Sequence, residues 1–219
     1  MSLAVVGTGT EVGKTVVSAV LLARYANATY WKPVATGARD ERDTATVARL
    51  APEAIEILPE SYLFREPLSP HLAARLEGAA IDPGHLLAEL ARHRADKPER
   101  ALLVEGAGGL LVPLTESDLL IELLAAAGLP CLLVALSGLG TINHTLLSLE
   151  ALRARRMEIA GVVLNGPPNP ENRATIERFG QVAVIAELPP LTALDRVAIT
   201  RAAEGFDRDG VLVPHLARA

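Results

Sequence analysis

Aromatic residues are scarce in this chain: one Trp, three Tyr and three Phe, 3% of 219 residues, although half the chain is hydrophobic. A core of that composition has to be built from Leu, Val, Ile and Ala, which suits a buried parallel sheet covered by helices. Cysteine is nearly missing too. The single Cys131 excludes an internal disulfide and a cysteine-based metal site, and its apolar neighbours mark it as a small core residue. The sequence has no basic cluster and a formal net charge of −5, which argues against nucleic acid as a partner. Amide side chains are few, five Asn and one Gln. That bias fits a heat-adapted source, and it fits a GC-rich genome equally well.

An uninterrupted long apolar run is also lacking. Residues 119–136 come nearest, but Glu122 interrupts them and Gly128-Leu-Pro130 breaks them in the middle. A helix over 117–127, a turn and a strand over 131–136 account for that punctuation. Thr115, with Asp118 three residues on, gives the helix a capping start. The chain enters a strand at once, so no signal peptide is expected, and it reads as soluble and cytoplasmic with no membrane partner. Its length fits a single domain over 1–219.

What the chain does have is Gly7-Thr-Gly-Thr-Glu-Val-Gly-Lys-Thr15, placed directly after an apolar run and before a helical pattern. A glycine-rich turn between strand and helix points backbone N–H groups at phosphate oxygens, and the helix N-terminus adds its positive dipole end. Lys14 can reach the β- and γ-phosphates, and the Thr15 hydroxyl can bind Mg²⁺. Gly9, Thr10, Glu11, Val12, Gly13, Lys14, Thr15 and Val16 form the predicted nucleotide-binding turn. The spacing is irregular. Five residues separate Gly7 from Gly13, where the usual motif has four. A dinucleotide fingerprint fails as well, because Val12 stands where its third glycine belongs.

Strand patterns fall at 3–6, 29–33, 101–105, 131–136, 159–165, 182–185 and 211–213. Helical patterns fall at 14–26, 44–50, 71–76, 84–94, 117–127, 142–155, 171–178 and 193–204. The alternation predicts an α/β fold of the P-loop NTPase type: a three-layer sandwich with a mostly parallel sheet of about seven strands and helices on both faces. Ligands of such sheets bind at the carboxyl ends of the strands. Those ends carry the glycine turn, Lys32-Pro-Val-Ala-Thr36, Glu105-Gly-Ala-Gly-Gly109, Ser137 to His144, and Asn165-Gly.

Each polar group there has a role it could play. Glu105, before a glycine turn, can hold Mg²⁺ beside a γ-phosphate. Asp43 lies at a helix start, where a plain N-cap is the simpler reading; with Thr15 and Glu105 it would complete an oxygen-only Mg²⁺ site. Lys32 would be a second cation for a phosphoryl-transfer transition state, and Thr36 could bind the acceptor. His71 and His144 sit at helix starts, where hydrogen bonding to the helix is favoured over a role as base. Asn165 carries the donor–acceptor pair needed to read an adenine edge, or is simply a turn residue.

Together these pieces resemble the dethiobiotin synthetases, the ATP-dependent ligases of biotin synthesis. The likeness rests on the five-residue spacing of the Gly7–Thr15 turn, the Lys32-Pro-Val-Ala-Thr-Gly37 run and Pro67-Leu-Ser-Pro-His71-Leu-Ala-Ala74. Further on it rests on Val104-Glu-Gly-Ala-Gly-Gly109, Gly140-Thr-Ile-Asn-His144 and Asn165. The resemblance implies that CO₂ adds to one amine of 7,8-diaminononanoate, ATP phosphorylates the carbamate, and the second amine closes the ureido ring. It implies that Lys14 and Lys32 hold γ-phosphate and carbamate oxygens, and that Thr10 and Thr36 bind the amine end. Thr15, Asp43 and Glu105 would then place Mg²⁺, with Asn165 on adenine. It also implies a homodimer in which Gly140, Thr141 and Asn143 of one chain take the substrate carboxylate of the other. Gly138 stands where a lysine is common in the family, Thr36 where a serine is common, and the likeness weakens after Pro190.

Two other readings fit less well. A partitioning or septum-placing ATPase would carry a lysine five residues before Lys14, where this chain has Gly9. An amidotransferase synthetase would need a glutaminase domain and a reactive cysteine.

Overall fold

The computed structural model describes residues 1–37, 42–52 and 55–217. In chain order the elements are β1 (Ser2–Gly7), α1 (Lys14–Arg24), β2 (Ala28–Trp31), β3 (Val34–Ala35), α2 (Asp43–Leu50), β4 (Glu56–Ile57) and β5 (Tyr62–Leu63). They continue with α3 (Pro70–Leu76), α4 (Pro83–Asp96), β6 (Ala101–Gly109), α5 (Leu120–Ala126), β7 (Cys131–Leu136) and α6 (Thr141–Ala154). The last are β8 (Ile159–Asn165), α7 (Pro170–Gly180), β9 (Val184–Leu188), α8 (Arg196–Glu204) and α9 (Val213–Leu216).

Seven strands form one sheet in the order β4-β2-β6-β1-β7-β8-β9, and every pairing is parallel. The strands alternate their side chains between two apolar layers, as the period of two requires. Leu3 and Val5 of β1 and Leu132 and Val134 of β7 face a layer filled from α1, α2, α8 and α9. Ala4, Val6, Cys131 and Leu133 face the other, filled from α3 to α7. The result is the predicted three-layer sandwich. Fully burying one Leu or Val is worth about 1.5–3 kcal/mol, so a sheet apolar on both faces sets the architecture without aromatic bulk.

Several elements differ from the sequence patterns. The run at 211–213 is a turn leading into α9, not a strand, because the Asp207 carboxylate accepts from the N–H groups of Val211 and Leu212, both at 2.8 Å. The edge strand is instead β4, two residues long and without a periodic signal. The last strand extends to Leu188 because Ala186 and Leu188 still reach the core. The helix expected from 117 begins at Leu120: Thr115 and Asp118 bond to each other in a closed turn ahead of it, with Asp118 N–H donating to Thr115 Oγ1 at 2.9 Å.

One difference bears on the site. The glycines after Glu105 are not a turn but the continuation of β6, paired as Gly7 with Gly109 across a register shift. A Cβ on Gly109 would stand 3.4 Å from the Cα of Gly9. The end of β6 therefore lies close against the glycine turn, with room left for little more than a methyl group at Gly109.

Candidate active site

Gly13 caps α1 with φ +95° and no side chain, so the first N–H groups of the helix have no partner within the helix and open toward the turn. Val17 N–H closes the first bond, to Gly13 C=O at 3.0 Å. Glu11 also takes a positive φ, +60°, a conformation few residues other than glycine adopt. The turn is thereby curled over the end of β1, and Lys14 folds beneath it, its Nζ donating to the Gly9 carbonyl at 2.9 Å. Lys14 is buried, and that burial, followed by the nearby charge of Lys32, lowers its pKa to about 8.

Beside the turn, α1, α2, β6 and the end of β2 bring six polar residues together: Thr15, Ser18, Tyr30, Lys32, Asp43 and Glu105. Glu105 is fully buried. Its Oε1 accepts from Lys32 Nζ at 3.0 Å and Thr15 Oγ1 at 2.9 Å. Its Oε2 accepts from Ser18 Oγ at 2.8 Å and Tyr30 Oη at 3.0 Å. Lys32 also pairs with Asp43 Oδ2, and Thr15 Oγ1 stands 2.6 Å from Asp43 Oδ1. Asp43 is the first helical residue of α2, the N-cap being Arg42, so the capping reading is replaced by this cluster. Burial alone would lower the pKa of Lys32, but Glu105 and Asp43 outweigh it and raise it. Burial would raise Asp43, yet Lys32 and Thr15 outweigh that and hold it below the usual carboxylate value.

The cluster suits a hard divalent cation. Thr15 Oγ1 has one proton but faces two carboxylate oxygens within hydrogen-bond distance, so one oxygen pair meets without a proton between. Two carboxylates and a hydroxyl are the donor type that Mg²⁺ takes, with water and phosphate oxygens filling the remaining positions. Among the described residues no group of three or more His, Cys, Asp and Glu is placed to hold a metal ion.

The other predicted residues are more dispersed. Thr10 is exposed at the crest of the turn, 3.7 Å from where a Cβ on Gly108 would lie. Thr36 follows β3, which pairs with β5 in a separate two-stranded sheet. Gly140 caps α6 with φ +89°, Thr141 is buried and Asn143 exposed. Among the described residues no side-chain bond joins Thr36, Gly140, Thr141 or Asn143 to the lysine–carboxylate cluster; Thr141 Oγ1 instead meets Thr145 Oγ1 at 3.4 Å. Gly138 is exposed, its carbonyl 3.5 Å from Asn172 Nδ2. Asn165 donates its amide to the Val12 carbonyl at 3.0 Å, so it braces the turn. His71 is the second residue of α3, and among the described residues its buried ring Nδ1 finds no hydrogen-bond partner, so that atom performs no capping there. The His144 ring lies beside Gly140 and is exposed.

Sequence reasoning missed Ser18 and Tyr30. Ser18 is one helical turn from Thr15, a spacing that puts both hydroxyls on one face. Tyr30 lies two positions before Lys32. A cavity of about 830 Å³ opens beyond the end of β9 and is lined by Glu187, Pro189, Leu191, Asp195 and Arg201. Among the described residues no helix is long and apolar enough to cross a membrane.

A parallel sheet with a glycine turn, Lys14 and Thr15 at the head of its first helix defines this chain as a P-loop NTPase-type protein. The profile of a family described as an AAA domain matches residues 1–198. An ATP-dependent dethiobiotin synthetase of Paramagnetospirillum magneticum is 51% identical over 195 residues, covering 89% of this chain and 91% of that one. Another, from Nitrobacter hamburgensis, is 45% identical over 212 residues, 96% of each chain. A ParA family ATPase from Chlorobium tepidum superposes with a TM-score of 0.57 over 93% of this chain and 97% of its own, at 10% identity, a likeness of fold alone. The chain belongs to the ATP-dependent dethiobiotin synthetases and is an enzyme.

Proposed function

We propose that this enzyme makes dethiobiotin from 7,8-diaminononanoate, CO₂ and ATP. One amine adds to CO₂ and loses a proton, giving a carbamate. A carbamate oxygen attacks the γ-phosphorus and ADP leaves, giving a carbamic–phosphoric anhydride. The second amine attacks the carbonyl carbon, phosphate leaves, and the ureido ring closes. The observation that carries this reading is the pair of buried lysines, Lys14 and Lys32, flanking the phosphate turn beside Asp43 and Glu105. Phosphoryl transfer to an anionic acceptor gathers negative charge, and preorganised cations are its main means of stabilisation.

Lys14 would hold the β- and γ-phosphates, gaining from the polyanion the charge balance its burial denies it. Lys32 would trade its carboxylate partners for phosphoryl and carbamate oxygens. Thr10 and Thr36 would orient the amine end. Asn165, at the end of β8, would present its amide to adenine. Thr15, Asp43 and Glu105 would hold Mg²⁺, which neutralises the β- and γ-oxygens when bound. The start of α6, at Gly140, Thr141 and Asn143, would take the substrate carboxylate of a second copy in a homodimer, as a helix N-terminus suits an anion. Leu111, Leu139 and Leu147 are exposed near that start, which supports a partner covering them. We place the enzyme in the cytoplasm, where ATP and CO₂ are available.

The test is ADP release by the purified protein with Mg-ATP, bicarbonate and the diamine. Release should depend on the diamine, with dethiobiotin formed in equal amount. ADP release at the same rate without diamine overturns the reading.

A further inference from the structure

Glu105 is the best-bonded carboxylate of the site, and its two oxygens are used differently. Oε1 faces Thr15 and Lys32, toward the turn. Oε2 faces inward and accepts from two hydroxyls that no phosphate could reach, Ser18 Oγ at 2.8 Å and Tyr30 Oη at 3.0 Å. Both residues are fully buried. The two donors come from different elements, α1 and β2, and each element is itself fixed: Tyr30 pairs with Leu103 in the sheet, and Ser18 lies in the buried face of α1.

We infer that Ser18 and Tyr30 are positioning residues that make Glu105 a one-oxygen ligand and thereby select Mg²⁺ over Ca²⁺. The inference rests on the metal site proposed above. A carboxylate whose second oxygen is already saturated can offer only the first to a cation. Ca²⁺ takes six to eight oxygens and gains from bidentate carboxylates, whereas Mg²⁺ is satisfied by single oxygens in near-ideal octahedral geometry. Locking Oε2 into the core also fixes the direction of Oε1, which a small ion with strict geometry needs more than a large one does. Outer hydrogen bonds of this kind typically contribute about 10–100-fold to metal affinity.

The experiment is calorimetric titration of Mg²⁺ and, separately, of Ca²⁺ into the full-length protein saturated with ADP. It compares wild type, Ser18→Ala, Tyr30→Phe, the double variant and Glu105→Gln. Tyr30→Phe keeps the ring and Ser18→Ala leaves only a small gap, so both should fold; melting temperature and metal-free ADP binding check this. We expect Mg²⁺ to weaken about tenfold in each single variant while Ca²⁺ is unchanged or tightened. The Mg²⁺-to-Ca²⁺ affinity ratio then falls about tenfold, and further in the double variant. Equal weakening of both ions marks a merely structural role and overturns the inference, as does an unchanged ratio. If Glu105→Gln leaves the affinity of both ions at the wild-type value, the metal site itself is wrong. If Glu105→Gln weakens them while the ratio in the other variants holds, only the selection by Ser18 and Tyr30 is wrong.

Discussion

A Cβ on Gly13 would lie 2.1 Å from the amide nitrogen of Asn165. That nitrogen is held there by its bond to the Val12 carbonyl, so the end of β8 clamps the glycine turn at the point where α1 begins. Two demands meet at one position: φ of +95°, which costs an L-residue about 1–2 kcal/mol, and a neighbour too close for any side chain. Gly13→Ala should therefore displace Asn165 and reopen the turn. We expect ATP affinity to fall at least 100-fold by calorimetry while the sheet still melts cooperatively. Gly9→Ala is the control, since nothing lies within 4 Å of the added carbon and φ there is ordinary. Its melting temperature should match wild type within about 2 °C. Wild-type ATP affinity in Gly13→Ala would show that the clamp has no functional weight.

Lys14 and Lys32 should be equally needed for turnover and opposite in their effect on stability. Each replacement by Ala should lower kcat/KM by two orders of magnitude or more, the scale of losing a preorganised charge. Lys32 is the partner of buried Glu105, and removing it strands that carboxylate; breaking such a pair costs about 3–5 kcal/mol. Lys14 is the reverse case. Burial has lowered its pKa to about 8, so its charge is disfavoured in the free fold, and Lys14→Ala should not lose stability. Urea unfolding in EDTA reads both effects. A Lys32→Ala protein as stable as wild type would contradict the pairing, and a normal turnover in either variant would contradict the roles.

Much of this site was legible because phosphate chemistry leaves marks in sequence. Gly7 to Thr15 announces itself, and Lys32 and Glu105 were found by asking what ends each apolar strand. Ser18 and Tyr30 were not, since a serine inside a helix and a tyrosine inside a strand look like ordinary fillers until the fold lays both on one carboxylate oxygen. The parallel sheet was legible from short, mostly apolar runs that alternate with helical patterns. The two-residue strands β3, β4 and β5 carry no period and exist only because neighbours hold them. The run at 211–213 looked like a strand because its hydrophobicity is that of the core; the partner of its backbone N–H groups is the side chain of Asp207, four and five residues earlier, a turn that hydrophobicity alone does not mark.

Cys131 should be silent toward thiol reagents. It is fully buried in β7, its Sγ 3.6 Å from the Leu129 carbonyl, and burial pushes its pKa up to about 12. The thiolate is the reactive form. The native protein at pH 8 should show no fast reaction with a disulfide reagent, and one thiol per chain should appear when urea is added. Rapid labelling of the native protein would mean that β7 opens far more readily than a central strand should.

The C-terminal segment should give the enzyme an alkaline limit. Asp207 is buried, and its carboxylate takes the Tyr25 hydroxyl at 2.5 Å as well as the N–H groups of Val211 and Leu212. Asp207→Asn turns one acceptor oxygen into a donor facing donors. At about 1.5–3 kcal/mol for one lost bond to a charged group, the melting temperature should fall by roughly 3–12 °C. Tyr25 responds to pH. Burial first, then the bond to Asp207, raises its pKa above the ordinary value of about 10. A raised folded-state pKa means that the unfolded chain releases the proton first. The stability Tyr25 contributes is therefore whole below pH 10 and is lost as pH climbs beyond it. Urea unfolding of wild type and Tyr25→Phe should show wild type ahead from pH 7 to 9.5 and the gap closing between pH 10 and 11. Tyr30, also raised, is common to both proteins and cancels in the difference. A gap that stays constant to pH 11 would mean that the Tyr25 hydroxyl titrates as it does in the unfolded chain, and that its bond to Asp207 does not hold the segment.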